Sequence, residues 1–575
     1  MILSRVLRTR ALQAPPLRVL QSLNRHASTS AAQDTQKPYY VTTPIFYPNA
    51  VPHIGHLHTL VSADILARFR RLTHPHQPVH FLTGTDEHGL KIQKAAREKG
   101  MEELAFCDSI SERFRELAEK ADISHTRFIR TTEQAHHDAV THLWRELDAK
   151  GLIYKDTYSG WYSISDEAFY TDAQITRTVH PKTATEVVTS TETGSVVTYS
   201  SEITYKFRLS QFREALHAHF LANPTAIRPK SYYDQVLSWV STEEGGALDD
   251  LSISRPRERL TWGVPVPGDE EHTIYVWIDA LTVYLTGAGY PFKDLDGVAG
   301  GWPSDVQVVG KDILRFHAVY FPAILLALSL PLPQTLLTHA HWTAEQRKMS
   351  KSVGNVADPG EAMEAYGVDG VRYYMAKVGG RFKDDVDWSP VQAEKHLDEI
   401  RSLLGNFFLR ITSKAIAGKL NTLSDSAPSL AELASASYLA ESGEGEKHTH
   451  NREVLASLET LGDTARGYLE NMEVAEALDA IVARLKLANA SLTHTAPWAS
   501  TTSPGLARAS YLTSLETLRV CGILLQSFIP GTAGKLLDGL GVGPEERTWE
   551  WAAVGKGGDT TREVKGVPLF EGKRK

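Results

Sequence analysis

A chain of 575 residues suggests about three to four domains, and 42% hydrophobic with 23% charged residues is an ordinary globular composition, which excludes collagenous, disulfide-dense and wholly disordered classes. Two cysteines, Cys107 and Cys521, are too few for a four-thiolate metal site or a disulfide framework. A formal net charge of −8 argues against holding nucleic acid through bulk electrostatics, so such a partner needs local basic patches and specific contacts.

The charge is unevenly spread. Arg5, Arg8, Arg10, Arg18 and Arg25 precede the first acid, Asp34, and without residues 1–33 the charge would be −13 (−8 − 5). An Arg-rich, acid-free start with Ser4 and spaced Val6, Leu7, Leu17, Leu20 and Leu23 has the character of a mitochondrial transit peptide, which implies the mitochondrial matrix. Its apolar run is too broken for a secretory signal.

From Tyr39 the pattern changes. Tyr39–Thr43 is β-rich, Gly55–Leu72 carries Leu57, Leu60, Val61, Ile65, Leu66 and Phe69 at helical spacing, and Val79–Leu82 predicts a second strand. Together they make a βαβ unit, expected over 38–156 as the first half of an open parallel sheet whose ligands sit outside the carboxyl ends of its strands. Residues 157–240 are rich in Thr and Ser and are expected to form an insertion. Thr273–Ile278 and Val306–Gly310 predict two further parallel strands, with helical spacing through Ile313–Leu328, so 241–335 completes the sheet. Ala318–Pro333 is too short to span a membrane and contains Pro322, Pro331 and Pro333, so a buried helix and turn are expected and no transmembrane helix. After a connecting region at 336–391, residues 392–575 read as an all-α helical bundle with helices over Leu397–Ile416, Glu453–Met472, Val474–Leu492 and Leu506–Phe528, interrupted by the Ser-, Ala- and Glu-rich Asn421–Asn451. The fold class is α/β, a Rossmann-type parallel-sheet domain with an inserted connective domain, followed by the bundle.

Two constellations carry chemistry. In the first, His53-Ile54-Gly55-His56 opens the helix after the first strand, where backbone N–H groups and the helix dipole favour an anion, imidazoles donate to phosphate oxygens and Gly55 permits close approach. In the second, Lys348-Met349-Ser350-Lys351-Ser352 sets two lysines and two hydroxyls in a loop suited to charge developing on a pyrophosphate leaving group. Chance would produce that pentapeptide in a chain this long with odds on the order of 10⁻⁴.

These stretches match the HIGH and KMSKS signatures of class I aminoacyl-tRNA synthetases. Tyr40–Asn49, Phe81–Gly89, Trp262–Pro267 and Tyr275–Ala280 narrow the resemblance to the methionyl-tRNA synthetase family, over about Tyr39 to Leu569. The resemblance implies that methionine attacks the α-phosphate of ATP, giving methionyl-adenylate and pyrophosphate, and that the methionyl group then passes to the terminal adenosine of tRNA(Met). No covalent enzyme intermediate is implied, so His53, His56, Lys348 and Lys351 are expected as transition-state donors. Gly55, Gly310, Asp312 and Lys351 are expected at ATP, with Mg²⁺ arriving as part of the nucleotide. Asp86 is expected to pair with the substrate ammonium. The methionine slot is expected from Ile45, Tyr47, Trp277, Ala280, Leu281, Tyr284, Ile313, His317 and Phe321, the last three spaced by four on one helix face. The region 336–391 then holds the KMSKS loop and stem contact. The bundle becomes an anticodon-binding domain, in which Asn406, Arg410 and Trp498 read or stack on bases.

Where relatives often carry a zinc knuckle after a Trp-Tyr like Trp161-Tyr162, this chain has Ser163 and Asp166, so no structural zinc is expected. The chain stops soon after Pro568-Leu569-Phe570, and a monomer is the default expectation. Leucyl, isoleucyl and valyl enzymes share the motifs but insert a large editing domain, and only 295 positions (348 − 53) separate His53 from Lys348 here. A cysteinyl enzyme would want zinc-binding thiols. A catalytically silent RNA-binding scaffold would have no need of all four of His53, His56, Lys348 and Lys351.

Overall fold

The computed structural model describes residues 37–164, 168–179, 186–191, 193–241, 248–293, 297–349, 356–420, 445–557 and 564–570. The expected leader, Asp166, Lys351 and most of the Asn421–Asn451 interruption lie outside the described residues.

The central sheet is built from Tyr39–Thr42 (β1), Val79–Thr85 (β2), Arg127–Arg130 (β3), Ile227–Arg228 (β4), Val306–Gly310 (β5) and Thr335–His339 (β6). These six strands pair in the order β3-β2-β1-β5-β6-β4, every neighbour parallel. Both faces are covered, and the two-residue side-chain period assigns each strand residue to one of two cores. Val41, Phe81, Val308 and Leu337 point into one, and their neighbours Tyr40, Leu82, Val309 and Leu336 into the other. The first core is filled by helix α1 (Ile54–Thr73), which buries Leu57, Leu60, Val61, Ile65 and Leu66 and places Arg70 and Arg71 at its carboxyl end, where the helix dipole favours cations. It continues without a break into the carboxyl-terminal helices through Leu404, Phe407, Leu478 and Leu485.

Two expectations are corrected. Thr273–Ile278 is not a parallel strand: Asp269–Ile274 pairs antiparallel with Ser254–Pro256 and Pro265–Val266, Tyr275 is extended, and Val276–Gly287 is a helix. A short apolar run has the same appearance in a buried strand and a buried helix, and here tertiary burial on all sides decided for the helix. The inserted sheet also reaches beyond 157–240. Its long ladder pairs Ile153–Ser163 with Thr198–Phe207, flanked by Ala168–Tyr170 and Leu251–Ser252, whereas β4, inside that interval, belongs to the central sheet. A two-residue strand carries no periodic signal.

The carboxyl-terminal part is helical as expected, with Pro390–Ile400, Phe407–Ile411, Gly445–Glu459, Leu461–Glu470, Val474–Thr495, Pro504–Leu525 and Pro530–Gly539. Asp358, Ser389 and Ser503 cap helices whose first residue is proline, the residue that lacks the N–H a helix start leaves over. Arg372, on the helix Val368–Tyr374 of the connecting region, ties this part to the sheet domain through a buried ion pair and a hydrogen bond. Arg372 is 1% exposed and meets the fully buried Asp64 of α1 at 2.6 Å, while its other N–H groups donate to the carbonyls of Phe528 (3.0 Å) and Ala121 (3.2 Å). Asp64 also accepts from Arg68 (2.7 Å) and from the Ser124 N–H (2.8 Å).

Burial alone would raise the Asp64 carboxyl, but the Arg372 and Arg68 guanidiniums and Ser124 hold it below its ordinary 3.8. Removing one partner of such a pair leaves a buried charge under-compensated, so Arg372→Leu is expected to lower unfolding free energy by about 3 kcal/mol. A depressed carboxyl stabilises above its unfolded pKa and ceases to do so as pH falls through the folded value. Denaturant titrations should therefore show the full difference at neutral pH and a shrinking one below pH about 4; a difference that persists unchanged through pH 2–3 would contradict this account.

Candidate active site

A cavity of about 680 Å³ opens outside the carboxyl ends of β1 and β5. Of the residues expected at a nucleotide and an amino acid, Ile45, Tyr47, His53, Gly55, His56, Asp86, Trp277, Ala280, Leu281, Tyr284, Gly310, Asp312, Ile313 and His317 all line it. Lys348 ends the short strand Arg347–Lys348, and its neighbour Met349 lines the same cavity. Thus the two signature motifs meet. The carbonyl of Ala357, beyond the lysine loop, accepts from the Ile54 N–H at 3.2 Å, which ties that loop's far end to the start of α1.

At the α1 end the donors differ from the sequence expectation. The Gly55 N–H donates to His53 Nδ1 and the His53 N–H to His56 Nδ1, each at 3.0 Å, so the first backbone N–H groups of the helix are taken up locally. Both Nδ1 atoms accept, which puts the proton of each neutral ring on Nε2. The rings stack with centroids 3.8 Å apart. Burial, then the neighbouring His53, keeps His56 protonated only well below its ordinary 6.5, with Asp312 opposing. The helix therefore offers imidazole N–H donors. A Cβ on Gly55 would stand 2.9 Å from His53 Cε1, so glycine is required for this stack. Across the cavity, β5 ends at Gly310, where a Cβ would lie 2.7 Å from an Asp312 carboxylate oxygen, and Asp312 meets His341 at 3.2 Å.

The other end is aromatic. Helix Val276–Gly287 presents Trp277, Ala280, Leu281 and Tyr284 to the cavity. His317 Nδ1 donates to the Ile313 carbonyl (2.9 Å), so its Nε2 accepts from the Tyr284 hydroxyl (2.7 Å). Burial pushes His317 down to about 4, so the ring is neutral at physiological pH. Phe316–Tyr320 is a π-helical turn. Its extra residue shifts everything beyond it around the axis, which is why Phe321 does not share the face of Ile313 and His317. Phe321 does not line the cavity; it packs against Tyr284 and Trp302 with ring centroids 5.6 and 6.0 Å away. Its place is taken by Phe316, stacked on Trp277 at 3.7 Å, which helical spacing could not reveal. Arg255 was also missed: it is buried, lines the cavity and sits over the Tyr275 ring at 4.3 Å. No motif signals it.

Away from the cavity, Arg410 lies over the Trp498 ring at 5.0 Å, and Trp498 is 42% exposed. Asn406 is exposed one helical turn before Arg410, so the three expected base contacts share one surface. In the inserted sheet Ser163 is buried, and among the described residues no cluster of three or more His, Cys, Asp or Glu could hold a metal ion. No helix among them is long and apolar enough to cross a membrane.

Comparison with known proteins gives two family matches: residues 39–412 to tRNA synthetases class I (M), and residues 442–556 to the anticodon binding domain of methionyl tRNA ligase. The mitochondrial methionine–tRNA ligase of Mus musculus is 42% identical over 529 residues, covering 90% of this chain and 88% of the relative. That of Homo sapiens is 41% identical over 517 residues, covering 88% and 85%. Among solved structures, the Mycobacterium tuberculosis methionyl-tRNA synthetase bound by methionyl-adenylate superposes with a TM-score of 0.81 at 37% identity, covering 93% of this chain and 100% of that one.

The buried, doubly bonded His317 should be the lowest-titrating histidine of the aromatic end. NMR of ring ¹⁵N-labelled protein is expected to report protonation near pH 4, with the Nδ1–H tautomer above it; titration near 6.5 would refute both its burial and its bond from Tyr284.

Proposed function

The chain belongs to the methionyl-tRNA synthetase family of class I tRNA synthetases, and from that premise we propose that it activates methionine with ATP and charges tRNA(Met) for translation in the mitochondrial matrix, acting as a monomer. The observation that carries this reading is one cavity with a stacked imidazole pair at a helix start on one side and an aromatic slot on the other, joined at the carboxyl ends of β1 and β5. The arginine-rich residues 1–33 and the mitochondrial relatives support the compartment.

In the first step the methionine carboxylate attacks the α-phosphate of ATP and pyrophosphate departs. The Nε2–H groups of His53 and His56 donate to phosphate oxygens as charge grows in the transition state, which neutral rings do without consuming a proton. Lys348 and Lys351 stabilise the departing pyrophosphate, and Mg²⁺ enters with the nucleotide as part of the substrate. Gly310 and Asp312, at the end of β5, receive the ribose. Asp86 pairs with the methionine ammonium, while the thioether lies against Tyr47, Trp277, Tyr284 and His317, where sulfur–aromatic contacts favour it. In the second step the ribose hydroxyl of the tRNA terminal adenosine attacks the methionyl carbonyl and AMP leaves. The Arg410–Trp498 stack and Asn406 receive anticodon bases.

Two variants separate the steps. Lys351→Ala should lower methionine-dependent ATP–pyrophosphate exchange by roughly 10² to 10³, and near-wild-type exchange would remove its assigned role. Trp498→Ala should leave that exchange within twofold of wild type and lower tRNA charging by roughly five- to 150-fold, the range of about 1–3 kcal/mol for one stacked base; unaltered charging kinetics would overturn the anticodon assignment.

A further inference from the structure

We propose that Asp279 and His88 form a positioning pair that fixes the width of the amino-acid pocket by tying its two walls together. This inference rests on the methionine reading of that pocket. One wall is helix Val276–Gly287, which carries Trp277, Ala280, Leu281 and Tyr284. The other is the segment that follows β2, which carries Asp86 and holds Tyr47, whose hydroxyl donates to the His88 carbonyl at 2.8 Å. Asp279 stands on the first wall but faces away from the cavity. Its Oδ2 lies 2.6 Å from His88 Nδ1 and its Oδ1 2.8 Å from His136 Nε2, and all three side chains are at most 3% exposed. His136 is held in turn by Thr286 on the same helix, at 2.9 Å.

No step of the reaction uses these three groups, yet burying a carboxylate between two imidazoles is costly unless its bonds are well made. Although burial alone would raise the Asp279 carboxyl, the two histidines hold it far below the usual carboxylate range, so the anion is the form that bridges. The segment 86–88 has a second anchor, because Glu87 accepts from Arg130 at 2.6 and 2.9 Å, but that anchor comes from β3 on the same side of the pocket. The Asp279 bond, by contrast, crosses to the aromatic wall. Asp86 and His88 are two positions apart (88 − 86), with Glu87 alone between them, so a shift at His88 moves the carboxylate that receives the ammonium relative to the slot that receives the thioether. A displacement of about 1 Å between such groups is enough to change rates a hundredfold.

The test is methionine-dependent ATP–pyrophosphate exchange on the full chain, with KM measured separately for methionine and ATP. His88→Ala should raise the methionine KM about tenfold or more while the ATP KM stays within twofold. His88→Asn, whose amide N–H can occupy the Nδ1 position, should recover most of the loss. A methionine KM within twofold of wild type in His88→Ala, a parallel rise in the ATP KM, or no recovery with asparagine would overturn the proposal. If His88→Ala does not fold, Asp279→Ala, which removes the acceptor for His88 from the opposite wall, should raise the methionine KM at least threefold with the ATP KM unmoved, and no rise would overturn it. Absence of methionine-dependent exchange in the wild type would instead remove the pocket reading itself.

Discussion

Everything at the site depends on β1 and β5 lying side by side in parallel register, Val41 against Val306 and Thr42 against Gln307, although 265 positions (306 − 41) separate them. The strand order reverses between them, so the chain leaves β1 toward one face of the sheet and β5 toward the other, and a crevice remains where the two connections diverge. His53 and Gly55 arrive from the first connection, Gly310 and Asp312 from the second. The insertion and all the helices between are excursions from this one contact. Their packing keeps both faces of the sheet dry, so that the pairing persists.

Electrostatics divides the cavity into two environments. At the α1 end both Nδ1 atoms accept backbone N–H groups, which fixes the tautomer, and burial with the neighbouring His53 keeps His56 protonated only well below its ordinary 6.5. At the aromatic end His317 is neutral for the same reason of burial, and its bond with Tyr284 completes an apolar wall with one polar point. Behind these walls the buried charges are paired, Asp279 with two histidines, Glu87 with Arg130, Asp64 with Arg372, whereas Asp86, Arg255 and Asp312 line the cavity itself.

Much of this was legible in the sequence because it is local. The Tyr39–Leu82 unit declared itself by a change of period from two to 3.6 and back, and the boundary of α1 came out within a residue or so because His53 and Gly55 mark its start. The carboxyl-terminal helices were equally plain. The remainder was hidden by distance or by ambiguity. Val276–Ile278 looks like a strand and folds as a helix, since an apolar run buried all round has no period to read. The π turn at Phe316–Tyr320 exchanged Phe316 for Phe321 in the pocket, and nothing in residue identity announces an extra residue per turn. Arg255, Arg372 and Asp279 are single charged residues among 130 (61 + 69) in the chain, and only their partners across the fold distinguish them.

The central claim is that this cavity joins methionine to ATP. It is tested most directly by ATP–pyrophosphate exchange on the chain lacking residues 1–33, with methionine, leucine, isoleucine, valine and cysteine supplied one at a time. Exchange with methionine alone is the predicted result. Exchange driven by another of these amino acids, or by none of them, would contradict it.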